Sequence, residues 1–152
     1  EALQGVDFEV RHQTGRGRVD EAAQAWSGLN ARVEMSEFID DMAAAFSWAD
    51  LVICRSGAST VSEVAAAGVA ALFIPLPTAV DDHQTHNARW LADQDAALLL
   101  PQSSLTADGL RARLAPIANR PALLQMAERA RAHALPHSAA TVADICQEVA
   151  RG

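Results

Sequence analysis

Short apolar runs alternate with helical stretches from Val6 to Leu100, and this alternation narrows the possible folds more than any other feature of the chain. The runs at 6–12, 32–35, 50–54, 71–75 and 96–100 are rich in Val, Ile, Leu or Phe. Helical patterns lie between them near 19–28, 39–48, 60–67 and 84–93. Strands with almost no polar interruption belong to a parallel sheet covered on both faces. From Thr106 onward strands cease, and helices are expected near 107–118, 121–134 and 138–150. Pro121 suits a first helical turn, and Pro136 separates the last two helices. The expected fold is one α/β domain, a doubly wound parallel sheet followed by a helical C-terminal tail. A chain of 152 residues, 50% of them hydrophobic, has enough apolar material for such a core. Glu1–Gly5 reads as the last turn of a helix closed by Gly5, so a strand and loop are expected ahead of Glu1.

Composition removes several classes of function. The net charge is −7 and all twelve basic residues are scattered arginines, which argues against a nucleic-acid or anionic-lipid surface. The longest apolar-rich run, Val61 to Pro77, is cut by Ser62, Glu63 and Gly68 and does not read as a membrane span. Cys54 and Cys146 lie far apart, without metal-ligand spacing, and read as small hydrophobes in a reducing compartment.

Ligands of open α/β sheets sit beyond the carboxyl ends of the strands, so the loops at 12–18, 36–41, 55–60 and 76–87 should carry the chemistry. Arg55-Ser-Gly-Ala-Ser-Thr60 is a small-residue loop leading into a helix. Its free backbone N–H groups and the positive helix end suit a phosphate or diphosphate, with Ser56, Ser59 and Thr60 as hydroxyl donors. Thr60-Val-Ser-Glu63 also matches a capping box, in which Glu63 closes on the helix start. The functional alternative has Glu63 accepting hydrogen bonds from the two hydroxyls of a ribose. Phe38 and Ile39 either belong to the core or form a slot for a flat base. Asp40 and Asp41 favour a helix start. Asp82, His83, Gln84 and Asn87 open the next helix, where they could hydrogen-bond a sugar. Asp81, Asp82, His83 and His86 hint at a metal site but lack a committed third ligand. Gly15-Arg-Gly17 reads as a flexible turn, since the third glycine of a dinucleotide fingerprint is missing.

The segments Glu37-Phe-Ile-Asp-Asp-Met-Ala-Ala-Ala45, Cys54-Arg-Ser-Gly-Ala-Ser-Thr-Val-Ser-Glu63, Ala65-Ala-Ala-Gly68 and Phe73-Ile-Pro-Leu-Pro77 resemble the C-terminal half of the MurG family. His12-Gln-Thr-Gly15 and Met126-Ala-Glu-Arg-Ala-Arg131 extend the likeness along the whole chain. These bacterial enzymes transfer N-acetylglucosamine from UDP-N-acetylglucosamine to a lipid-linked muramoyl-pentapeptide, lipid I. The resemblance implies the GT-B fold, with this chain as its Rossmann-like UDP-sugar-binding domain. It implies that the Ile39 backbone pairs with uracil beside Phe38, and that Ala58, Ser59 and Thr60 hold the diphosphate. Glu63 would take the ribose, and His83, Gln84 and Asn87 lie where the family meets the sugar. His83 departs from the family, which commonly has glutamine there. The reaction implied is an inverting displacement with no obligatory metal or cofactor. Its catalytic base, its lipid I site and its contact with the cytoplasmic face of the inner membrane are expected on an N-terminal domain that this sequence does not contain. An epimerase of UDP-N-acetylglucosamine and a separate nucleotide-sugar-binding subunit of a split transferase are the rival readings. Neither reading involves nucleic acid.

Overall fold

The computed structural model describes residues 8–28, 31–78 and 80–151. The helix end at Glu1–Gly5 and the first two residues of the expected 6–12 strand lie outside them. The elements follow in the order β1 (Glu9–Gln13), α1 (Val19–Trp26), β2 (Arg32–Ser36), α2 (Met42–Trp48), β3 (Leu51–Cys54), α3 (Ala58–Ala67), β4 (Ala70–Phe73), α4 (His83–Ala92) and β5 (Leu98–Leu99). The tail is α5 (Ala107–Leu114), α6 (Arg120–Ala132) and α7 (Ser138–Arg151).

All strand pairs are parallel, as the apolar runs require, but among the described residues they form two ladders: β1–β2, and β3–β4–β5.

β4 explains why the second ladder is so apolar. All four of its residues are buried. Ala71 and Phe73 face a core formed with Phe46, Val64 and Leu91, while Ala70 and Leu72 face Leu114, Ile117 and Met126. Helices from the βαβ crossovers cover one face and the tail helices α5 and α6 the other, with Ala130 of α6 reaching the first core. Among the described residues, α7 is exposed along its whole length.

Several helix ends differ from the sequence reading, each for a local reason. α2 starts at Met42 rather than 39, because Asp41 caps it by accepting from the Ala44 N–H at 2.8 Å. That leaves Phe38, Ile39 and Asp40 in the loop. α5 stops at Leu114 and gives way to a 3₁₀ turn over Ala115–Ile117, since Pro116 has no N–H to continue an α-helix. Asn119 caps α6 by accepting from Ala122, with Pro121 in the first turn as expected. At the end of α3, Gly68 adopts φ 67° and donates back to Val64 and Ala65. A Cβ there would lie 3.0 Å from Cβ of Arg131, whose guanidinium ties α6 to the Ala66 carbonyl.

The two thiols have different surroundings. Burial of Cys54 among the core residues under β3 pushes its thiol up to about 12, while Cys146 is exposed on α7. A thiol reagent at pH 8 is therefore expected to label one cysteine per native chain and both in denaturant. Rapid labelling of Cys54 in the native state would contradict this packing.

Candidate functional site

The site is built at the carboxyl ends of β1, β2, β3 and β4. After β3, Gly57 turns the chain directly into α3. Its carbonyl accepts from the Val61 N–H at 3.0 Å, which makes Gly57 the N-cap. The capping-box expectation is therefore wrong. Thr60 is the third helical residue, not the cap, and no side chain caps this helix. Because α3 begins two residues earlier than expected, the N–H groups of Ala58, Ser59 and Thr60 have no acceptor within the helix. They point out of its positive end. Ser59 and Glu63 are four residues apart and Thr60 and Glu63 three, so these side chains share one helical face. The Glu63 carboxylate is exposed and makes no hydrogen bond or ion pair among the described residues.

Ser56 behaves differently from the other hydroxyls of the loop. It is fully buried, and its Oγ donates to the Gln84 carbonyl of α4 at 2.8 Å. The expectation that it would be a phosphate donor is overturned, because its hydroxyl is committed inside the protein. The contact is reciprocated. Asn87 Nδ2 donates to the Ser56 carbonyl at 3.1 Å, and Gln84 Oε1 accepts from the Leu76 N–H at 3.0 Å. Arg55, which the sequence reading passed over, donates through Nη1 to the carbonyls of Ile74 and Pro75, each at 3.1 Å. These bonds join the loop after β3 to the segment between β4 and α4. The structure thus brings Gln84 and Asn87 to the Ala58–Glu63 side of the molecule.

His83 is exposed at the first residue of α4, behind Asp81 and Asp82, which both adopt φ 52°. Asp82 accepts from the Thr85 hydroxyl at 2.6 Å, and His86 Nδ1 lies 3.1 Å from the Asp82 carbonyl. Among the described residues no three His, Cys, Asp or Glu side chains gather as metal ligands.

Phe38 is 55% exposed and Ile39 half-buried, so neither belongs to the core. The loop carrying them lies beside the β1–α1 loop. Thr14 and Gly15 donate to the carbonyls of Ser36 and Glu37 at 2.9 and 3.1 Å, and the Gly17 N–H donates to Glu37 Oε1 at 2.6 Å. Gly15 and Gly17 form a turn with φ of 82° and 70°. The Ile39 N–H donates to Gln13 Oε1 at 3.0 Å, a contact between residues 26 apart that no local pattern signals. A separate depression on the β1–β2 ladder, lined by Arg11, Arg32 and Trp48 with Glu9 and Glu34, contains none of the candidate residues.

A free helix N-terminus at the end of a parallel strand, with an unpaired carboxylate on the same face, has the chemistry to suit an anionic, hydroxyl-bearing ligand such as a nucleotide. Comparison with known proteins specifies the class. Residues 1–148 match the glycosyltransferase family 28 C-terminal domain, and the chain belongs to that family. It is 60% identical over 151 residues to the UDP-N-acetylglucosamine–N-acetylmuramyl-(pentapeptide) pyrophosphoryl-undecaprenol N-acetylglucosamine transferase of Alcanivorax borkumensis, covering 99% of this chain and 42% of that protein. It is 57% identical over 152 residues to the same-named protein of Aeromonas hydrophila, again over 99% and 42%. The crystal structure of Acinetobacter baumannii MurG matches with a TM-score of 0.93 at 44% identity, over 97% of this chain and 43% of that one. The glycosyltransferase VinC, solved with dTDP, shares the fold at a TM-score of 0.75 and 23% identity, over 99% of this chain and 36% of its own. The chain spans about two-fifths of the length of the curated relatives it matches.

Proposed function

We propose that this chain is the donor-binding part of an inverting hexosyltransferase that moves N-acetylglucosamine from UDP-N-acetylglucosamine to lipid I in peptidoglycan synthesis. The observation that carries this reading is the outward face of α3, where three N–H groups without helical acceptors adjoin the unpaired Glu63 carboxylate. The names of the 60% and 57% identical relatives supply the substrates.

In this reading the diphosphate takes the N–H groups of Ala58, Ser59 and Thr60, and Glu63 accepts from the ribose hydroxyls. The base lies against Phe38 and pairs with the Ile39 backbone. His83, the Nε2 of Gln84 and the Oδ1 of Asn87 face the sugar. As the anomeric C–O bond breaks, negative charge gathers on the departing UDP, and the α3 terminus stabilises it. The acceptor's 4-hydroxyl attacks from the opposite face of the sugar, which inverts the anomeric centre. The base that takes its proton, the lipid I site and the contact with the cytoplasmic side of the inner membrane are assigned to the part of the relatives that this chain does not span.

Calorimetric titration with UDP, and with ADP and GDP as controls, tests the reading. The expected result is selective UDP binding at about 0.1–1 mM, or about −5.5 to −4 kcal/mol. Equal binding of all three nucleotides, or preference for ADP or GDP, would remove the base from Phe38 and Ile39 and sink the donor assignment.

A further inference from the structure

Gln13 is the last residue of β1, opposite Ser36 in the register of the ladder, and its side chain is exposed. Its Oε1 accepts from the Ile39 N–H at 3.0 Å. That bond is not the segment's only tie. The same segment is fixed on one side by Thr14, Gly15 and Gly17, which bond to Ser36 and Glu37, and on the other by Asp41, which caps α2.

A primary carboxamide presents a carbonyl acceptor beside an N–H donor. Uracil presents the same pair along its O4–N3 edge. We infer that Gln13 is a built-in stand-in for the nucleobase: it occupies the Ile39 N–H in the ligand-free protein and is displaced when the base carbonyl takes that donor. The inference rests on the reading above, in which the base pairs with the Ile39 backbone. A base must bring its own acceptor to replace the carboxamide, and cytosine, with an amino group at that position, brings none. Every base that takes this place competes with a side chain already there, which lowers its affinity.

The test compares the 152-residue chain with Gln13→Ala and Gln13→Met, the second keeping the side-chain length without the amide. Each is titrated with UDP, CDP and inorganic diphosphate. The bond removed is a single exposed one, so UDP is expected to bind both variants about 2- to 10-fold more tightly than the parent. Diphosphate affinity stays the same, and the margin of UDP over CDP, set by the Ile39 N–H, does not widen. The ¹⁵N resonance of Ile39 in the ligand-free protein should shift in both variants. Weaker or unchanged UDP binding in the variants, with diphosphate unaffected, overturns the inference and makes Gln13 a support for the loop. A parent chain that binds diphosphate as well as UDP overturns the base assignment itself, a separate failure visible without either variant.

Discussion

Glu63→Ala is expected to weaken UDP binding about 10- to 150-fold while leaving the unfolding midpoint unchanged. The two halves of this result have separate causes. The carboxylate is exposed on α3 and has no partner among the described residues, so its removal breaks nothing inside the protein. Gly57, not Thr60, is the N-cap, and the helix start does not depend on Glu63. Bound to UDP, the carboxylate would accept from two ribose hydroxyls, and hydrogen bonds to a charged group contribute about 1.5–3 kcal/mol. Glu63→Gln, which keeps the acceptor carbonyl but loses the charge, should fall between parent and alanine. Calorimetry with UDP and urea unfolding of the same samples decide the matter. A fall in stability with no change in affinity would make Glu63 a structural residue and leave the ribose without a partner on this face.

The fold was legible in the sequence wherever it depended on local pattern. The apolar run at 71–75 read as a strand covered on both faces, and the structure places β4 at Ala70–Phe73 with all four residues buried. Pro121 marked the start of α6 by chemistry that acts within one turn, and the structure adds the Asn119 cap. The N-terminus of α3 was misplaced by two residues because Thr60-Val-Ser-Glu63 has the spacing of a capping box, whereas Ala58 and Ser59 carry no periodic signal. A glycine N-cap announces itself weakly, since it contributes no side chain. Contacts made across the fold were not legible. Nothing around Ser56 distinguishes it from Ser59, yet one is sealed beneath α4 and the other exposed. The difference is set by Gln84 and Asn87, 28 and 31 residues away. Gln13 and Ile39 are likewise joined only after β1 and β2 have paired in register. Of the candidate set, Phe38, Ile39, Ser59, Thr60, Glu63, His83, Gln84 and Asn87 stood out by loop position and residue type, while Ala58 and the particular role of each came from resemblance. What the geometry adds is which of their polar atoms remain available for a ligand.

Ser56→Val is expected to lower the free energy of unfolding by about 2–4 kcal/mol and to weaken binding of the sugar nucleotide with it. Ser56 has no exposed surface, so the extra methyl group has nowhere to go, and overpacking of this kind costs about 1–3 kcal/mol. The lost hydroxyl donor to the Gln84 carbonyl adds about 1 kcal/mol. Ser56→Ala separates the two contributions, because it removes the bond without adding volume and should account for the smaller share. The loop and α4 are joined at this point by Ser56 and Asn87 donating in opposite directions, so pushing them apart also strains the Asn87 bond. Ser56→Val combined with Asn87→Ala should consequently cost less than the sum of the single changes, as expected for side chains in one network. The functional effect follows from the proposed donor site: there the α3 N-terminus would take the diphosphate and α4 the sugar, and the Ser56 contact fixes one helix against the other. Urea unfolding and titration with UDP and with UDP-N-acetylglucosamine measure both effects. If Ser56→Val proves as stable as the parent, the loop is not locked to α4 at Ser56, and the two parts of the donor site move independently.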